Sequence, residues 1–266
     1  MKIEKEIWWI LDSGENDGAY NMATDEFLAK NVKNKPILRF FKWKPFCLSL
    51  GYAQKNGIFN YEKLKKNGID VVRRPTGGRA VLHTDEVTYS VIIPKSHCLF
   101  NLNTTELYKS ISYALLNGLR YLGISATIEK NKKVTDEHNK FSPYCFSSIT
   151  RYELKFNGKK IIGSAQRRYK TSVLQQGSIP LKNYNFNLDE FILFDNLNKD
   201  KKRNIASNFN YSISKLINKN VSYEEVVESI KRGFEDIFQI FFRKKEITSS
   251  QKTLIKQLSK KYLIYN

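Results

Sequence analysis

The sequence predicts an α/β (α+β) fold, a mixed, largely antiparallel sheet sandwich flanked by helices. Three observations carry that expectation. Strand-like and helix-like segments are intermixed along the chain instead of segregating into halves. Asn157-Gly158 joins two strand-like runs with the residue pair that a two-residue type I′ hairpin requires, which excludes a purely parallel sheet. Leu107, Ile111, Leu115, Leu119 and Leu122 recur at three- and four-residue spacing, the stripe by which a helix covers a sheet.

Taken in order, Ile7 to Leu11 reads as a first strand. The polar segment Asp12 to Asp17 reads as a turn before a helix near Ala19 to Lys30. Pro36 opens a strand at Ile37 to Phe41, and Pro45 opens another near Cys47 to Leu50. Tyr61 to Asn67 is a short helix stopped by Gly68. Val71-Val72 and Ala80 to Leu82 are apolar runs on either side of a Pro75 to Gly78 turn, and Val87 to Ile93 is a buried strand ending at Pro94. The helix Thr105 to Leu122, with Thr104 or Thr105 as its cap, ends at Gly123. Ile124 to Ile128 alternates as a strand, and the charged Glu129 to Lys140 is an exposed segment. Strand-like runs follow at Tyr152 to Phe156, Lys160 to Ala165 and Ser172 to Pro180; Leu188 to Phe209 is irregular. Ser222 to Ile240 begins with a capping box and reads as a helix, as does Ser249 to Leu263.

A length of 266 residues allows one large domain with at most a small appendage, and no internal repeat is visible. Composition that is 41% hydrophobic and 27% charged excludes wholesale disorder. No apolar run approaches the ~20 residues that cross a bilayer, and the N-terminus lacks the apolar centre of a signal peptide, so the expectation is a cytoplasmic protein that does not enter a membrane. Cys47, Cys98 and Cys145 stand far apart without a Cys-x-x-Cys pair, which argues against zinc and against a disulfide framework. A net charge of +19 suits an acidic partner. Nucleic acid is not expected to be that partner, because no recognition module or zinc-finger spacing accompanies the 17 Phe, 15 Tyr and 3 Trp.

Three places carry chemistry. Val71 to Ser90, VVRRPTGGRAVLHTDEVTYS, sets two arginines, Gly77-Gly78 and His83 between strand-like runs, which fits either a plain hairpin or a loop whose backbone N–H groups approach an anionic or acyl ligand. His83 is either a ligand-contacting base or a hydrogen-bonded structural histidine. Cys145, in the turn-rich Ser-Pro-Tyr-Cys-Phe-Ser-Ser, is either a reactive thiol or a small core residue; as a nucleophile it needs a positive neighbour or a base, which Lys160 or His83 supplies. Lys160 opens KIIGSAQRR and either points into a pocket or lies on the surface beside Lys159. Cys47 and Cys98 read as small core residues.

Four ordered segments, NMATDEFLA, SLGYAQK, RRPTGGRAVLH and KIIGSAQRR, together resemble the biotin/lipoate A/B protein ligase superfamily, in particular its lipoate-protein ligase A and LipM-like octanoyltransferase branches. Gly77-Gly78-Arg79, where the ligases typically show three glycines, and Cys145 upstream of the lysine strand favour the octanoyltransferase branch. The resemblance implies a ligase-like catalytic domain over 1–245 with 246–266 as its C-terminal helical tail. It implies ping-pong acyl transfer: Cys145 takes octanoyl from an acyl carrier protein thioester, and Lys160 orients the carbonyl or favours the thiolate. The acceptor is a lysine of the glycine cleavage H protein or another lipoyl domain. Arg73, Arg74, Thr76, Gly77, Gly78, Arg79, His83, Gly163, Ser164 and Ala165 are the implied substrate-binding residues, with backbone N–H groups of Gly77 and Gly78 at the thioester end. The acyl chain needs a narrow apolar slot, expected around Leu82, Val87 and Ile162. No cofactor or metal is implied, and a monomer is expected. An ATP-dependent lipoate ligase and a lipoyl or octanoyl amidotransferase are the alternatives within the same family.

Overall fold

A computed structural model describes residues 5–55, 57–130, 152–182, 188–193 and 212–264. Cys145, the charged run beyond Lys130 and most of the irregular 188–209 segment lie outside the described residues. Among the described residues the larger of two sheets has eight strands: β1 (Glu6–Asn16), β2 (Ile37–Trp43), β6 (Glu86–Pro94), β7 (Thr127–Lys130), β8 (Tyr152–Phe156), β9 (Lys159–Arg168), β10 (Ser172–Pro180) and β11 (Ile240–Lys244), in the order β11-β1-β2-β6-β10-β9-β8-β7. β1 runs parallel to β2 and β11, and the remaining neighbours are antiparallel. The smaller sheet has the order β4-β3-β5, built from β3 (Cys47–Leu50), β4 (Asp70–Arg73) and β5 (Val81–His83). This is the mixed, largely antiparallel α/β architecture that the sequence predicts.

Alternation along β6 divides the core. Val87, Tyr89, Val91 and Ile93 pack on one face of the large sheet against Leu107, Ile111 and Leu115 of α3 (Thr104–Tyr121) and Val226, Ile230 and Phe234 of α5 (Tyr223–Phe238). These two helices meet almost backbone to backbone: a Cβ on Gly233 would lie 2.3 Å from the Ala114 carbonyl oxygen, so a side chain there would force them apart. Thr88, Ser90 and Ile92 face the other way, toward α1 (Gly18–Asn31) and the small sheet. Among the described residues there are also the short helices α2 (Tyr61–Lys66) and α4 (Ile213–Ile217) and the C-terminal α6 (Ser249–Ser259). Among the described residues no helix is long and apolar enough to cross a membrane.

Several sequence expectations are corrected. Asp12 to Asp17 is not all turn: β1 continues to Asn16 through an irregularity between Asp12 and Glu15, with Gly14 at a φ of 63°. Asn103, not Thr104 or Thr105, caps α3, accepting from Glu106 N while the Glu106 carboxylate accepts from Asn103 N. The strand expected at Ile124 to Ile128 begins at Thr127 and takes in Glu129. Gln239, in the left-handed conformation, stops α5, so Ile240 starts an edge strand instead of ending a helix. The last helix stops at Ser259, and Leu263 bridges Val72. Cys98 is exposed, whereas Cys47 is buried, which pushes its thiol up.

The C-terminal segment is clamped onto α1 by Glu26. Its carboxylate accepts from the Tyr262 hydroxyl at 2.6 Å and pairs with Lys30 at 2.9 Å and with Lys261. Burial alone would raise the Glu26 carboxyl, but Lys261, Tyr262 and Lys30 outweigh it and bring it down to about 2. A folded-state value below the unfolded one, about 4.3, means that this clamp stabilises the fold fully above that pH and is lost as the pH falls toward 2. Glu26→Gln is therefore expected to lower stability by on the order of 2 kcal/mol at pH 7. In melting curves across pH, the gap to wild type should close between about pH 4 and pH 2.

Candidate active site

The Gly-Gly segment is not a hairpin. β4 and β5 both pair with β3 and not with each other, so residues 74–80 cross over the end of the small sheet and bring both flanking strands to one cleft. Arg74 braces this crossing: its guanidinium donates to the carbonyls of Gly77 at 2.6 Å and Arg79 at 2.7 Å, and to Ser49 O at 2.9 Å. Arg73 donates to the carbonyls of Gly51 at 2.8 Å and Gln54 at 2.7 Å, tying down the neighbouring loop. The two loops touch so closely that a Cβ on Gly51 would lie 1.8 Å from the Gly78 carbonyl oxygen.

Between this crossing and the large sheet lies a narrow cleft. Arg74, Thr76 and His83 line one side; Gly163, Ser164 and Ala165 line the other. Arg73, Gly77, Gly78, Arg79 and Lys160 are not in its lining. Its apolar surface comes from Met22, Trp43 and Val81 instead of the expected Leu82, Val87 and Ile162. The reason is alternation: Val87 and Ile162 point into the α3 and α5 core, and Leu82 packs against the outer cluster of the small sheet. Ser164 turns its hydroxyl to Tyr89, 2.7 Å away on that same core side, so it borders the cleft with its main chain.

His83 is buried and held on three sides. Its Nδ1 lies 2.8 Å from Glu86 Oε1, its Nε2 2.7 Å from Ser49 Oγ, and Trp43 stacks on the ring with centroids 3.9 Å apart. Ser49 in turn accepts from Arg74 at 3.1 Å. Burial would raise the Glu86 carboxyl, but His83, Thr88 and Ser178 together hold it below the ordinary carboxylate range. Thr88 donates to Glu86 and accepts from the Trp43 indole N–H at 2.7 Å, which fixes the ring at that end of the cleft. The result is an oriented imidazole with a carboxylate behind it, an arrangement suited to moving or holding a proton.

Thr76 is fully buried and donates to Gln176 Oε1 at 2.7 Å; Gln176 donates to Asp25 Oδ2 at 2.6 Å. Asp25 therefore connects the crossing loop to α1, while its other oxygen pairs with Arg39 at 2.7 Å. Lys160 is not a surface lysine. Its side chain is 6% exposed and its Nζ lies 3.2 Å from Glu153 Oε1. Among the described residues no group of three or more His, Cys, Asp or Glu is placed to hold a metal ion.

The description "Lipoyl protein ligase A/B catalytic domain" belongs to the family model that matches residues 17–235, a span that includes the crossing loop, the His83 network and the lysine strand. The chain belongs to that family. Among its relatives is octanoyltransferase LipM of Anoxybacillus flavithermus, 39% identical, with 97% of this chain and 96% of the relative covered. Octanoyltransferase LipM of Bacillus subtilis is 37% identical, covering 97% and 95%. A solved bi-partite lipoate protein ligase from Thermoplasma acidophilum superposes with a TM-score of 0.75 at 25% identity, over 96% of this chain and 93% of that one. In this lipoyl protein ligase A/B domain, sequence reasoning missed Ser49, Trp43, Glu86 and Gln176. Glu86, three residues after His83, and Ser49, inside SLGYAQK, stood within segments already singled out; Gln176 and Trp43 offered no local signal.

Proposed function

We propose that this chain is an octanoyltransferase of lipoate biosynthesis, working through an acyl-Cys145 intermediate. The observation that carries the reading is its near full-length likeness, at 36–39% identity, to proteins named octanoyltransferase LipM. The Cys145 thiolate attacks the octanoyl thioester carbonyl of an acyl carrier protein, forming a new thioester as the carrier thiolate leaves and takes up a proton. A lysine amine of a lipoyl-domain protein, such as the glycine cleavage H protein, then attacks that carbonyl; an amide forms, the amine loses a proton and the Cys145 thiolate is released. Thioester exchange is nearly balanced and amide formation is downhill, so the sequence of steps needs no ATP.

The other assignments follow from that chemistry. Arg74, Thr76, His83, Gly163, Ser164 and Ala165 border the acyl slot, Met22, Trp43 and Val81 supply its apolar wall, and Lys160 stabilises the thiolate and the developing oxyanion. Arg73, Gly77, Gly78 and Arg79 shape the loop beside it. The net charge of +19 favours acidic carrier and acceptor proteins. The enzyme is a cytoplasmic monomer, with 1–245 the catalytic domain and 246–266 its tail.

Intact-protein mass spectrometry after incubation with octanoyl-acyl carrier protein tests the reading. An octanoyl adduct is expected on wild type and absent from Cys145→Ser; an adduct mapped to another residue would overturn the role of Cys145. An ATP-dependent lipoate ligase is the second reading, favoured by the likeness to the Thermoplasma acidophilum ligase. It requires lipoate-dependent pyrophosphate release that survives Cys145→Ser.

A further inference from the structure

The face on which Lys160 emerges is set by a single extra residue. Leu154 is opposite Ile162 and Lys155 is opposite Lys160, so one step on β8 matches two on β9 and Ile161 is the bulged residue. Leu154, Ile161 and Ile162 all pack into the α3 and α5 core. Without the bulge, Lys160 would fall on that same core side as Ile162 and Ser164. With it, Lys160 turns to the opposite face, shared with Gly163 and Ala165 of the cleft. Glu153 neighbours Leu154 along β8 and so points to the same face as Lys160, where the two side chains, 7% and 6% exposed, meet at 3.2 Å.

From this juxtaposition we propose that Glu153 is the positioning residue of Lys160, fixing the ammonium on the face of β9 that Gly163 and Ala165 present to the cleft during acyl transfer. The inference rests on the octanoyltransferase reading for its kinetics. A buried ion pair is weak support for stability, since two well-packed apolar residues commonly do as well. Its use here is directional. Lys155 stands directly opposite Lys160 and is drawn away by Glu129, with Nζ to Oε2 at 3.0 Å, which leaves Glu153 facing Lys160 across the diagonal. A flexible four-carbon stem is thereby restricted to one direction, which conserves the geometry that charge stabilisation requires.

The test uses the full chain. Glu153→Gln is expected to lower single-turnover octanoylation of the enzyme by roughly tenfold or more with KM for octanoyl-acyl carrier protein nearly unchanged, and Glu153→Asp to fall between it and wild type. In a Lys160→Ala background Glu153→Gln should have no further effect; a second loss of equal size there would show a merely structural role and overturn the proposal. Labelling of Lys160 in the free protein by an amine-acylating reagent, read by peptide mass spectrometry, gives a signal that does not depend on the enzyme's reaction. The carboxylate that Nζ contacts at 3.2 Å holds the amine in place, so labelling should accelerate when that contact is removed in Glu153→Gln and, to a smaller degree, when it is lengthened in Glu153→Asp. Unchanged labelling in both overturns the pair. Accelerated labelling in a protein that forms no octanoyl adduct would remove the octanoyltransferase reading while leaving the Glu153–Lys160 coupling in place. If Glu153→Gln does not fold, Glu153→Asp carries both measurements.

Discussion

Replacing Asp25 with alanine is expected to destabilise the protein by about 3–5 kcal/mol, a large fraction of the total stability of a typical domain. Asp25 on α1 and Arg39 on β2 are both fully buried and 2.7 Å apart. The guanidinium also donates to Asn21 Oδ1 and Ser13 Oγ, each at 2.7 Å, and lies 4.0 Å from the Phe41 ring centroid. The carboxylate accepts from Ser90 at 2.7 Å and Gln176 at 2.6 Å. Alanine would strand a buried positive charge and remove the acceptor of two buried donors, the costly half of breaking such a pair. Because Gln176 also accepts from Thr76, the loss reaches the crossing loop of the cleft. In urea denaturation the midpoint should fall with an unchanged slope, and Asp25→Asn should lie between alanine and wild type. A loss under about 1 kcal/mol would mean that α1 is held by packing alone.

The same network shows what a single sequence can and cannot disclose. The α3 stripe and the Asn157-Gly158 hairpin were legible because both are local: periodicity fixes the first, and positive φ at both turn residues, 48° and 73°, fixes the second. Gly77-Gly78 left a hairpin and a ligand loop equally open, because turn chemistry does not reveal that a third strand, β3, lies between the two runs it joins. Gln239 gave no warning that α5 ends there, since only its backbone conformation distinguishes it from a helical residue. In the site, Arg74, Thr76, His83 and the Gly163 to Ala165 run were found by motif, and the cleft brings them together. Gln176 was invisible because its importance arises from pairing across 100 residues with Thr76. Trp43 needed the knowledge that β2 and β6 are neighbours, and the burial of Lys160 needed the bulge at Ile161, which no residue pattern announced.

Lys160→Ala is expected to reduce octanoyl transfer by about 10²–10³-fold with the fold retained. When a thiolate attacks the octanoyl carbonyl, negative charge moves from sulfur to the carbonyl oxygen. An ammonium on the cleft face can stabilise the first and then the second, and its effect is larger where water is excluded, as at a side chain only 6% exposed. Lys160→Arg should not restore the rate, because a planar guanidinium places its charge differently from a compact ammonium and does not fit the diagonal set by Glu153. Alanine leaves Glu153 without the Lys160 charge, so part of any loss in stability belongs to that carboxylate; Lys160→Met combined with Glu153→Gln removes both charges and should fold as well as wild type while remaining slow. Cys145 and Lys160 act on the same step, so Cys145→Ala with Lys160→Ala should be scarcely slower than Cys145→Ala alone. Single-turnover octanoylation followed by mass spectrometry measures each rate directly. A Lys160→Ala enzyme acylated within a few-fold of the wild-type rate would remove the lysine from the chemistry and leave the bulge with a purely structural role.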